Sequence, residues 1–253
     1  MLRTRVIPVL LVREGCLVKT IQFNRFEYVG DPCNTVRIFN ELEVDELLVL
    51  DITPDRFHRG PDYHLIADLA DECFMPLGIG GGVRSLEDAR AIFAAGIEKV
   101  VINTAAIERP DLIREISTVY GSQAVIVSID VKRGLFGANT VRTRNGRRRT
   151  DLDPVVWAKK AEMFGAGEIM LTSIDREGTW NGFDLELVHS VANALSIPLI
   201  AHGGAGNLQD IVNVVKKGGS SAVALGSMVV FQKQGMGVLV NFPDNKLIHG
   251  LLK

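Results

Sequence analysis

The sequence predicts a (β/α)8 barrel, on three observations. Short runs rich in Val, Ile and Leu alternate with longer segments of helical periodicity, eight such runs fit within 253 residues, and the first half of the chain resembles the second. Near-continuous apolar strands between amphipathic helices imply a parallel sheet covered by helices. Eight of them in this length suit a closed barrel better than an open doubly wound sheet. No Pro/Ser-rich linker interrupts the alternation. One barrel domain is therefore expected over 1–253, with half-barrels at about 1–122 and 123–253.

The expected strands begin at Arg5 (RVIPVLLV), Glu46 (ELLVLDI), Pro76 (PLGIGGG), Lys99 (KVVIN), Ala124 (AVIVSID), Glu168 (EIMLTS), Pro198 (PLIAHGG) and Ala222 (AVALGS). Between them the helices carry their own signals. Ser85 followed by Asp88 reads as an N-cap and capping box, and Gly96 stops that helix. Leu86, Ala89, Ile92 and Phe93 fall on one face, which should pack on the barrel. After Phe231 the pattern degrades: Gly235 and Gly237 break any helix, VLVNF reads as a strand, and the eighth helix should be short or replaced.

Charge and composition exclude several function classes. A formal charge of −2 gives no reason to expect nucleic acid or an anionic membrane as partner. The basic run Arg142 to Arg149 (RTRNGRRR) lacks interleaved aromatics and reads as a solvated hairpin. Cys16, Cys33 and Cys73 are odd in number and form no C-x-x-C pair, so no disulfide framework or zinc site is signalled. No metal or organic cofactor is expected. No apolar stretch has the length of a membrane span and no secretory signal opens the chain, which makes the cytoplasm the expected compartment.

The repeat carries the functional signal. IPLGIGGGVRSLEDARAIFAAGIEKVVINTA in the first half matches IPLIAHGGAGNLQDIVNVVKKGGSSAVALGSM in the second at an offset near 122, with one residue of slippage before the last strand. Glu46 maps onto Glu168, and LLVREG at Leu11 lies over DVKRGL at Asp130. A four-plus-four duplication gives a barrel with approximate two-fold symmetry. Gly80-Gly81-Gly82 follows the third strand and Gly203-Gly204 the seventh, each leading into a helix start. Glycine lets a ligand approach the backbone, and a helix start offers free N–H groups. The following strands end in Asn103-Thr104 and Gly226-Ser227, further donors. A lone glycine pair can be a tight turn; two symmetric copies at matching strand ends point to two phosphate sites facing each other across the mouth.

Together these residues resemble the cyclase subunit of imidazole glycerol phosphate synthase, over residues 1 to about 231. The most specific stretches are GGGVRSLEDAR, KVVINTAAI, SQAVIVSID, GAGEIMLTSIDREGT and IPLIAHGGAGN. The resemblance implies a barrel that takes ammonia from a glutaminase subunit to split and cyclise a doubly phosphorylated ribosyl-aminoimidazole. It also implies two aspartates facing each other across the mouth, at the ends of strands one and five, as general acid and general base. Asp130 stands in the fifth-strand place. The other is missing: where the family motif has an aspartate, IPVLLV has Leu11, which is also the symmetry mate of Asp130. Leucine neither accepts nor donates a proton, so the family reaction should be severely impaired if it needs both groups.

Other positions match. Lys19 lies after strand one, where the resemblance implies a loop lysine that folds over substrate. Asp51 ends strand two, and Thr172 with Ser173 ends strand six. His202, beside a phosphate loop, has no family counterpart to guide it and suits anion binding, proton transfer or packing. Arg5, Glu46, Lys99 and Glu168 each open a strand, two positive and two negative charges at the barrel floor that can neutralise one another. The resemblance makes these four an ammonia gate.

Three readings stay open. The leading one is a diverged paralogue that supports ammonia-dependent amidation of a nucleotide-linked sugar in surface-polysaccharide synthesis, alongside a glutaminase and a sugar amidotransferase. IPVLLV, VGDPCNTVRIFNELEVDELLVLDI and GMGVLVNFP resemble that branch. The others are an active histidine-pathway cyclase, and a non-catalytic subunit that activates a glutaminase and conducts its ammonia.

Overall fold

A computed structural model describes residues 4–134 and 137–252; Leu135, the last residue of the second repeat segment quoted above, lies outside them. The elements run β1 (Arg5–Arg13), β2 (Cys16–Ile21), β3 (Asn24–Gly30), α1 (Pro32–Glu41), β4 (Leu47–Asp51), α2 (Arg56–Arg59), α3 (Tyr63–Glu72), β5 (Leu77–Gly80), α4 (Leu86–Ala94), β6 (Lys99–Ile102), α5 (Thr104–Glu108), α6 (Asp111–Tyr120), β7 (Val125–Arg133), β8 (Asn139–Thr143), β9 (Arg148–Arg149), α7 (Pro154–Met163), β10 (Glu168–Ser173), α8 (Leu185–Ala192), β11 (Leu199–His202), α9 (Leu208–Lys216), β12 (Ala222–Leu225) and α10 (Asn245–Leu252). Each expected strand is present, starting within one residue of its sequence signal.

Eight strands form a closed parallel ring, in the order β1, β4, β5, β6, β7, β10, β11 and β12, with β12 returning to β1. The register Arg5↔Ala222 on one side of β1 and Val9↔Leu48 on the other fixes its place. Strand side chains alternate in direction. One set, with Val6, Leu10, Leu47 and Val127 among it, points outward and packs under the helices, against helix residues such as Phe39, Ile92 and Trp157. The other fills the barrel with Ile7, Val9, Leu48, Val101, Ile126 and Met170. Inward alternation continued to the strand ends places Leu11, Asp130 and Thr172 at the mouth.

The helices start as their sequences direct. Ser85 and Asp88 complete a capping box on α4, and Asn207 and Asp210 complete another at the symmetric start of α9. Two features depart from expectation. After each half's first barrel strand the chain makes an antiparallel hairpin, β2–β3 and β8–β9, of which only the second was expected. The eighth helix is short, as expected, but it begins only at Asn245, after a segment that was expected as a strand. VLVNF contributes a single bridge, Val238 to Phe231, and α10 then packs on α9 with Ile248 buried.

Candidate active site

The C-terminal ends of the barrel strands enclose a cavity of about 300 Å³. Leu11, Asp51, Gly82, Asn103, Thr104, Asp130 and Thr172 line it, as does His202. Lys19, Gly203, Gly204, Gly226 and Ser227 do not. The structure thus brings Leu11, Asp130 and the first glycine loop into one space, which the second loop does not line.

Asp130 is buried and accepts a hydrogen bond from Asn103 Nδ2 at 2.9 Å. Burial pushes its carboxyl up to about 7, against the hydrogen bonds from Asn103 and Thr172. His202 Nδ1 lies 3.2 Å from Thr172 Oγ1. Burial, aided by the positive charge of Lys19, drives the imidazole down to about 3, so it is neutral near pH 7. Asn103 Oδ1 is buried with no hydrogen-bond partner among the described residues, and it can accept from a donor in the cavity. On the β1 side, Leu11 is 7% exposed and packs with the barrel interior. No group on it can trade a proton with Asp130.

Asp51 shows why an acid at a strand end is not by itself catalytic. Its Oδ1 accepts from the Thr53 amide at 2.8 Å, and its Oδ2 meets Arg56 Nε at 2.6 Å. That second approach lies off the hydrogen-bond direction, so we count it as a charge contact. The side chain organises the β4–α2 loop.

Lys19 corrects an expectation. It sits inside β2, not on an open loop, and it is fully buried, donating to the Val9 carbonyl. Burial lowers its amine to about 8, with Glu177 acting the other way. A β-carbon on Gly226 would lie 3.5 Å from Lys19 Nζ and 3.6 Å from His202 Nε2, so both side chains face the second-half loop from below.

The two glycine loops match in detail. A β-carbon on Gly82 would fall 2.6 Å from the Gly60 carbonyl carbon, and one on Gly204 would fall 2.2 Å from the Gly182 oxygen. Both residues also have positive φ. Close backbone packing therefore demands glycine whatever the function. The helix starts themselves are not free: Asp88 takes the amides of Arg84 and Ser85, and Asp210 those of Gly206 and Asn207. Among the described residues, the loop amides without an intrachain acceptor include those of Gly82 and Gly204 and the helix-opening amides of Thr104 and Ser227. Those amides are free to donate, whereas the capped helix ends that the sequence suggested are not.

At the opposite end, the four floor charges close a ring. Arg5 bonds Glu46 at 2.6 Å and also Glu168; Lys99 Nζ bonds Glu46 at 2.6 Å and Glu168 at 2.7 Å. Burial disfavours the charges, but the reciprocal bonds outweigh it, so Arg5 is raised above its ordinary value and Glu168 is held below the usual carboxylate range. Every charge has two opposite neighbours.

Sequence reasoning missed Ser128, which lines the cavity next to Asp130, and Glu177, which was present in SIDREGT but not singled out. Glu177 is buried, accepts from Thr20 Oγ1 at 2.9 Å and the Phe23 amide at 3.1 Å, and so pins the β2–β3 hairpin over β10. It missed too that Arg144 and Arg147, in the basic run, line the cavity.

Fold and site define a (β/α)8 barrel of the enzyme type, with its titratable groups gathered at the C-terminal strand ends. The chain belongs to the family described as "Histidine biosynthesis protein", whose model matches residues 5–234. It is 49% identical over 248 residues to "Putative imidazole glycerol phosphate synthase subunit hisF2" of Pseudomonas aeruginosa, covering 98% of this chain and 99% of that one. A Leptospira interrogans protein, "Putative imidazole glycerol phosphate synthase subunit HisF", is 45% identical across 97% of both chains. "Putative imidazole glycerol phosphate synthase subunit hisF3" of Vibrio vulnificus is 43% identical over 96% of this chain and 94% of its own length. The chain is thus similar throughout to the cyclase subunit of that synthase.

Proposed function

We propose that this chain is the barrel subunit of an imidazole glycerol phosphate synthase-like complex. It receives ammonia from a partner glutaminase at its floor and holds a bis-phosphate-type substrate at its mouth. The closed Arg5–Glu46–Lys99–Glu168 ring carries the reading, because four alternating charges at the floor suit a gate for a small neutral molecule. Exposed Phe74, Val119 and Met163, on the segments that lead into β5, β7 and β10, surround the same end and suit a protein partner.

Leu11 makes the reading finer. With one carboxyl of the expected pair replaced by a packed leucine, the chain fits a diverged paralogue whose ammonia supports amidation of a sugar in surface-polysaccharide synthesis, alongside a sugar amidotransferase. A second reading, an active cyclase yielding imidazole glycerol phosphate and aminoimidazole carboxamide ribotide, draws on His202. That residue is joined through Thr172 to Asp130, and its neutral imidazole would serve there as a proton acceptor.

The tagged chain drawn from its native cell should bring a glutaminase with it. In that complex, Lys99→Ala or Arg5→Ala should release to solvent the ammonia made from glutamine, while the barrel stays folded by circular dichroism. Capture without a glutaminase, or coupling unchanged in both variants, contradicts the gate.

A further inference from the structure

The basic run that reads as a solvated hairpin is not wholly solvated. Its turn, Arg144, Asn145 and Gly146, has φ of 54°, 56° and 77°, and Arg144 and Asn145 stand at the mouth cavity. Two bonds fix it there: the Arg144 amide donates to Thr104 Oγ1 at 3.1 Å, and Asn145 Nδ2 donates to the Ile52 carbonyl at 2.9 Å. Arg144 and Arg147 consequently line the same cavity as Gly82, Asn103 and Thr104.

Their charges are only partly answered. Glu108 Oε1 accepts from both Arg144, at 3.1 Å, and Arg148, at 3.2 Å, so one carboxylate faces two guanidinium groups. Arg144 also lies over the Phe57 ring at 5.0 Å, and its Nε is buried with no hydrogen-bond partner. Arg147 forms no ion pair among the described residues. Across the cavity Asp51 is engaged by Arg56, which leaves Asp55 as the opposing acid on that lip. A planar guanidinium with free N–H groups matches phosphate oxygens. The pinned turn means that little ordering is needed when an anion arrives.

We propose that Arg144 and Arg147 form the outer wall of an anion subsite whose inner wall is Gly82 and Thr104, and that this subsite takes the phosphate group of a small-molecule substrate. The inference rests on the phosphate-binding reading above and adds two residues that set its strength and selectivity. Arg147 supplies the unneutralised charge. Arg144, held by Glu108 and Phe57, supplies a fixed guanidinium edge.

The test is a titration of the full chain with inorganic phosphate, followed through the backbone amide resonances of Gly82, Thr104, Gly204 and Ser227. These report the two loops separately. Arg147→Ala should weaken phosphate at Gly82 and Thr104 by about tenfold, in line with loss of a charge-assisted bond, and leave Gly204 and Ser227 unchanged. Arg147→Lys should recover part of the loss. The Arg144→Ala/Arg147→Ala double variant should weaken the first loop further. If phosphate shifts Gly82 and Thr104 with equal affinity in wild type, Arg147→Ala and the double variant, the arginine wall is wrong while the phosphate loops stand. If phosphate moves none of the four amides in wild type, both readings fall.

Discussion

The floor and the mouth of this barrel both bury ionisable groups, and they treat them in opposite ways. At the floor, Arg5 is pushed up and Glu168 down, so the fold reinforces their charged forms. At the mouth Asp130 rises to about 7, Lys19 falls to about 8 and His202 to about 3, so the fold weakens every charged form. Geometry explains the contrast. Each floor charge meets two opposite charges at bonding distance, whereas the mouth groups hydrogen-bond uncharged partners (Asn103, Thr172 and the Val9 carbonyl), and the one opposite charge that acts on them, Glu177 on Lys19, does not offset burial. Groups held near their own titration range inside a cavity are suited to chemistry; a closed ion ring is suited to a fixed structure.

Removing one carboxylate from each end should therefore have opposite effects on stability. On the floor, Glu168→Ala leaves Arg5 and Lys99 with Glu46 alone, and should cost about 3 kcal/mol near pH 7. A folded-state carboxyl held below its unfolded value stabilises above the unfolded pKa and loses that contribution as pH falls through the folded one. The cost of Glu168→Ala should accordingly shrink in acid. Denaturant midpoints at pH 7 and pH 4 check both the size and the trend, and an equal loss at both would break the ring account.

At the mouth, Asp130→Asn should stabilise, by about 2 kcal/mol at pH 8. The sign follows from the raised carboxyl. Between the usual aspartate range and about 7, the folded protein holds a proton that the unfolded chain has lost, so stability declines as pH rises through that interval. The asparagine variant escapes the decline. Its advantage should grow from pH 4 to pH 7 and then level off. A neutral or destabilising Asp130→Asn at pH 8 would show that burial does not raise the Asp130 carboxyl.

The sequence made some of this legible and hid the rest for physical reasons. Eight barrel strands were visible because apolar runs bounded by Gly, Pro and charged residues need no tertiary information. The floor ring was visible as well, since four charges at strand starts converge once a barrel is assumed. The β2–β3 hairpin was not: CLVKTI has a lysine and a threonine within it, and most of NRFEYVG is exposed, so neither shows a buried-strand pattern. The burial of Lys19 depends on β1 and on Glu177, 158 positions later (177 − 19), which no local pattern reports. For the same reason the basic run looked solvated. Only the contacts of its turn with Thr104 and Ile52 turn it toward the cavity.

Leu11 stands at the mouth with Asp130, as the sequence places it, and on the proposed reading it is the residue that separates a diverged paralogue from a competent cyclase. General acid–base catalysis by one positioned group is worth ~10²–10⁴-fold. The direct measurement is turnover of the doubly phosphorylated ribosyl-aminoimidazole with saturating ammonium, for wild type and Leu11→Asp, with substrate binding measured in parallel. We expect wild type to bind substrate but turn it over orders of magnitude more slowly than a competent cyclase. Leu11→Asp should gain measurable activity and lose some stability where the leucine had packed. Wild-type turnover within a few-fold of the Asp variant would contradict the account and assign the missing proton transfer to another group, with His202 the first to test.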